Sequence, residues 1–90
     1  MDADTKALID AAYELAKKKL IPYEQDRIAA ENKANAEHRA VCNEDNEEEL
    51  IPKHNANIRA IYKKYYDAFE RIMAEYRIVK DQILRMSSAI

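Results

Sequence analysis

From Ile58 onward, apolar residues recur at alternating spacings of four and three: Ile58, Tyr62, Tyr65, Phe69, Ile72, Tyr76, Val79, Ile83 and Met86. This is the heptad period of a helix that lays one edge against a neighbouring helix. Ile61, Tyr66, Ala68, Met73, Ile78 and Leu84 widen that edge. A two-stranded coiled coil uses only two positions in seven, so this helix is expected to touch more than one neighbour. Arg59, Lys63, Lys64, Asp67, Glu70, Arg71, Lys80 and Asp81 fill most of the opposite face as an ordinary solvated mix.

In the first half, Leu8, Ala12 and Leu15 lie with Ile9, Tyr13, Ala16 and Leu20 on one broad helical face, and Asp2 or Asp4 stands ready as an N-cap. After Pro22 the stripe thins to Tyr23, Ile28, Ala30, Ala34, His38 and Val41, and its small side chains let a partner helix come close. The pattern breaks at 43–46. Asn43 is expected to take the left-handed position that closes a helix, and Asp45 to Glu48 reads as a capping box for the next one. The prediction is an all-α antiparallel helical hairpin forming a single domain over 1–90, with arm one over 3–42, a turn at 43–47 and arm two over 48–87. Pro22 is expected to kink the first arm, giving two long helices, or three if the chain breaks at 20–22. Pro52 is expected to start or bend the last helix. At 1.5 Å per residue, residues 52–86 span ~50 Å and the two parts of the first arm together ~55 Å, so the arms match in length.

Composition narrows the reading. With no Gly, tight hairpins, β-bulges and phosphate-cradling loops lose the residue they rely on where φ must be positive. Charged residues make up 36% and the apolar set 48%, too apolar for a disordered chain and too charged for a membrane protein. Fifteen basic and seventeen acidic residues nearly cancel, so the basic footprint of a nucleic-acid binder is missing and such a partner is not expected. No apolar run approaches the ~20 residues of a membrane span, and the start, Met-Asp-Ala-Asp, is not followed by a signal-like apolar stretch. A cytoplasmic location is expected. Cys42 is the sole cysteine, so no intrachain disulfide can form, while an intermolecular one can. A chain of ninety residues buries only ~60–65% of the surface it exposes when unfolded. Its leftover apolar stripe should therefore seek another chain, and dimerisation into a four-helix bundle is expected.

Candidate chemistry is sparse. His38 and Cys42 stand four apart on one helical face, and folding about the turn brings His54 near them, with Glu37 and Glu49 around; this set is a weak zinc candidate, and its spacing matches no zinc motif. Tyr65 and Tyr66, with Tyr62 and Tyr76 on the same helix and Lys63 and Lys64 interleaved, could stack and hold a base or nucleotide. Such a stripe more often forms a core or an interface, where Tyr buries its ring and keeps its hydroxyl wet. No nucleophile turn is present, and Ser87 and Ser88 fall at a C-terminus expected to fray. No enzyme activity and no cofactor are implied. Lys17, Lys18 and Lys19 precede Leu-Ile-Pro, as do Glu47, Glu48 and Glu49 thirty residues later. In an antiparallel hairpin these triplets lie at different heights, so they could meet only between chains.

In outline, a hairpin of this length with its turn near the middle resembles the small secreted helical hairpins of the WXG type. The Trp-x-Gly turn of that family has no counterpart here, since Trp and Gly are absent, and no function is carried over. The expected role is a self-associating protein-interaction module acting as a small adaptor, with Ile58, Tyr62, Tyr65, Phe69, Ile72, Tyr76, Val79 and Ile83 as core and interface. One alternative is a small phage-type inhibitor that docks its Tyr-rich helix on a larger machine. A further alternative is a nucleotide or nucleic-acid binder using Lys63, Lys64, Tyr65 and Tyr66. If the Phe69 ring is core, Phe69→Ala should cost ~3–5 kcal/mol.

Overall fold

The computed structural model describes residues 2–88. They form two helices, α1 (Ala3–Val41) and α2 (Glu47–Ser88), joined by a short turn, and no strand occurs among the described residues. The fold is an all-α two-helix hairpin. Good helix formers fill both elements, and each helix begins with acidic residues that suit the positive end of its dipole.

Asp2 caps α1: its Oδ1 accepts a hydrogen bond from the Thr5 backbone N–H at 2.7 Å. That bond holds the Asp2 carboxyl below its ordinary value of 3.8. A carboxylate lowered on folding contributes stability that is fully present above the unfolded value and is lost as pH falls through the lower, folded one. Acidification through that window is expected to loosen the first turn, seen as faster amide exchange at Thr5 and Lys6 after correction for intrinsic rates. Asp2→Asn should abolish this response, and a wild type whose first turn ignores acid would show that the cap contributes nothing.

Both prolines lie inside helices, Pro22 in α1 and Pro52 in α2. The chain therefore has two helices and not three. Pro22 removes one backbone donor, but it sits on the exposed side, where water can bond the freed carbonyl of Lys18.

The turn differs from expectation in its chemistry. No described residue has positive φ, so Asn43 does not take the left-handed position. Side-chain amides do that work instead. Asn43 Oδ1 accepts the N–H groups of Asp45 and Asn46 at 2.9 and 3.2 Å. Asn46 Oδ1 accepts the Asn43 N–H at 2.7 Å, and its Nδ2 donates to the Val41 carbonyl at 2.8 Å. α2 starts after Asn46, whose own carbonyl accepts from Glu49 and Leu50. Asn46 therefore takes the cap position in place of the Asp45–Glu48 box. Asparagine supplies locally the bonds that a glycine-closed turn would have found by reversing its backbone.

The chain divides into two compact units, Met1–Ile21 with Ala68–Ile90, and Pro22–Asp67. In the first unit, Thr5, Ile9, Ala16 and Leu20 of α1 and Ala68 and Ile72 of α2 are buried. Tyr13 and Tyr76 meet edge to face at 5.5 Å, and the buried Thr5 hydroxyl donates to Ser87 Oγ at 2.9 Å. Ser87, expected at a fraying end, is thus tied to α1. In the second unit Ala34 alone is buried, and Tyr62 of α2 is hydrogen-bonded to Arg27 and Glu31 of α1. No described helix is long and apolar enough to cross a membrane.

Candidate functional site

In the first unit, the broad apolar stripe foreseen on α1 splits into two rows. Ile9, Ala16 and Leu20 turn inward, whereas Leu8 and Leu15 remain more than half exposed, at 58% and 55%. On α2, Ile72 is buried at 4%, while Val79 and Met86 stay at 41% and 71%. Leu8 and Leu15 are one heptad apart, as are Val79 and Met86, so each pair stands on one side of its helix. Two hollows run between the helices here. One is a groove of about 70 Å³ reaching from Ala12 and Leu15 to Tyr76 and Val79. The other is a wider hollow of about 280 Å³ between Leu8 and Ile83–Met86. Lys19 and Glu75 line the first and pair at 3.8 Å. The result is an apolar face with the Lys19–Glu75 pair at one end and the carboxylates of Asp2 and Asp4 lining the hollow at the other.

The second unit has a groove of about 300 Å³, walled by Tyr23, Arg27 and Ala30 of α1 and Ile61, Lys64 and Tyr65 of α2. The Arg27 guanidinium lies 5.1 Å from the Tyr62 ring centroid and 5.4 Å from that of Tyr65. It also donates to Glu31 at 3.0 Å and to the Tyr62 hydroxyl at 3.3 Å. That hydroxyl in turn donates to Glu31 at 3.0 Å. With Arg27 and Glu31 side chains only 19% and 28% exposed, water screens this pair less than a surface one. The cluster clamps α1 to α2. Arg27→Met keeps the stem but leaves Glu31 and Tyr62 short of a donor, and should cost about 1–3 kcal/mol in urea unfolding. A loss below ~0.5 kcal/mol, ordinary for surface positions, would show a solvated pair rather than a clamp.

Of the residues considered for a nucleotide, Lys64 and Tyr65 line this groove, and Asp26 sits there with them. Lys63 instead pairs with Asp67 at 3.1 Å on the exposed side. Tyr66 is 56% exposed and rests its ring against Tyr62 and Tyr65. The structure thus separates Lys63 from Lys64 rather than gathering them around one phosphate.

Near the turn, the His38 and His54 rings stack with centroids 4.2 Å apart and planes 16° from parallel. Imidazole lone pairs lie in the ring plane, so rings stacked face to face point their nitrogens alongside one another rather than at a common ion. Cys42 is half-buried. Among the described residues no group of three or more His, Cys, Asp or Glu side chains is placed to hold a metal ion.

Of the residues proposed for core and interface, Ile72 is buried in the single chain. Ile58, Tyr62, Tyr65, Tyr76 and Ile83 are half-buried, and Phe69 and Val79 are exposed, Phe69 at 37%. Three residues of the charge triplets find partners within the chain: Lys17 pairs with Glu14 at 3.0 Å and Glu49 with Lys53 at 2.9 Å along their own helices, and Lys19 with Glu75 across to α2. Arg27 and Glu31 were not singled out from sequence. Their spacing of four is the same as that of the exposed pairs Lys33–Glu37 and Lys63–Asp67, so only the burial supplied by Tyr62 and Tyr65 marks them. No protein-family model, no curated protein and no solved structure matches this chain.

Proposed function

We propose that this chain is a non-catalytic helical interaction module that pairs with a second copy of itself and offers the outer faces of the resulting bundle to another protein. One observation carries the reading. A self-sufficient monomer of 10.5 kDa exposes roughly 5,400 Å², whereas this chain exposes 7052 Å². The surplus is about twice the ~800 Å² that each partner gives to a standard interface. No described side chain is fully sealed from solvent, so the core is closed only when something else covers it. The solitary Cys42 suits a reducing compartment, and we assign the module to the cytoplasm.

Sedimentation equilibrium across the micromolar range tests the reading, together with melting at several protein concentrations. A dimer mass is expected, with a Tm that rises with concentration because association stabilises only the folded chain. A mass of one chain at every concentration, with an unchanging Tm, would overturn it.

A further inference from the structure

Resting on that reading, we infer that the pairing surface is the apolar face of the first unit, formed by Leu8, Ala12 and Leu15 of α1 and Val79, Ile83 and Met86 of α2, and that its occupant is the same face of a second copy. The face repeats every seven residues on both helices, so it fits helices of the same period, knob into hole, and would splay a sheet or an extended peptide. This chain carries such a pair of helices.

Three further features favour a second copy. Leu8, Leu15, Val79 and Met86 remain between 41% and 71% exposed, and the chain's surface surplus, about twice one partner's share of a standard interface, is what each chain gives up in a large obligate dimer. Ala11 and Ala12 are the residues that share the side of α1 between Leu8 and Leu15, and Ala12 lines the groove, so on that side the helix is low enough for an incoming helix to approach. At one end of the face Lys19 and Glu75, both about half exposed, are already paired, and at the other Asp2 and Asp4 line the hollow beside Leu8 and Met86. A two-fold axis that runs the two α1 helices antiparallel keeps the acidic ends of the two copies apart and sets each toward the other copy's Lys19 end. The product is a four-helix bundle in which each chain contributes two adjacent helices.

The test is sedimentation of the full chain and of four variants, with circular dichroism to confirm helix content. Leu15→Glu and Val79→Glu place a charge on the face. Leu8→Gln/Met86→Gln removes apolar area at two positions already wet in the single chain, so it keeps the test informative if a charged variant fails to fold. Tyr66→Glu, on the second unit, is the control at an equally exposed ring. Dimer dissociation is expected to rise by at least ~100-fold in the face variants, the loss of two well-packed apolar contacts, with Tyr66→Glu unchanged. A wild-type dimer that survives all three face variants, or that Tyr66→Glu breaks, would overturn this face while leaving self-association standing. A wild type that is monomeric throughout would overturn both, leaving the face to a helix of a different protein.

Discussion

Ile72→Ala should destabilise the folded chain by about 2–5 kcal/mol in urea unfolding. The side chain is only 4% exposed and packs in the first unit, where Ala16 and Ala68 are also buried. Alanine at 72 would deepen the groove it shares with Leu15, Ala16, Tyr76 and Val79, and the lost contacts add to the lost transfer energy. Val79→Ala removes less volume from a position still 41% exposed. At low concentration it should cost under ~1 kcal/mol. If the chains pair through that face, the Val79→Ala cost grows as concentration rises. Phe69 falls between the two: with more than a third of its surface wet, Phe69→Ala should cost about 1–3 kcal/mol, less than a sealed ring would. Equal costs at 72 and 79 in dilute solution would mean that the helices are rotated about their axes from the arrangement described.

Pro22→Ala should raise stability by about 2–3 kcal/mol. α1 continues through residue 22 without a break, although proline there denies the Lys18 carbonyl its donor and crowds the preceding turn. Alanine restores the bond and relieves the crowding. The gain stops short of the full interior-proline penalty of ~3 kcal/mol because the site faces solvent, so water already bonds the carbonyl in part, and because proline also restricts the unfolded chain. Melting with matched amide exchange at residues 18–26 would measure it. A neutral or destabilising result would show that the proline geometry at this point is required by the packing on either side.

The helical class and the hairpin were legible in the sequence, whereas whether Pro22 left the first arm as one helix or two was not. A period of four and three sustained from Ile58 to Met86 suits only a helix, and a chain with no Gly has few ways to make anything else. The turn was marked by Asn43, Asp45 and Asn46 between two apolar patterns. Its mechanism was not legible. Asn is compatible both with positive φ and with side-chain capping, and the choice depends on which backbone groups the fold leaves unpaired.

What the sequence by itself determined is the secondary structure and the existence of an oversized apolar edge, because both follow from periodicity along a single chain. Only the tertiary structure decided which row of that edge is inside. Leu8 and Ile9 are neighbours about 100° apart on one helix and equally apolar, so pattern cannot rank them, and at Leu15 and Ala16 hydrophobicity alone would have put the larger side chain inside. Tertiary packing ranks them: Ile9 and small Ala16 of α1 are buried, as are Ala68 and Ile72 of α2, while Leu8 and Leu15 stay outside. Tertiary packing likewise singled out Arg27 and Glu31, since a salt bridge of ordinary spacing becomes a clamp only when aromatic rings from the other helix exclude water from it.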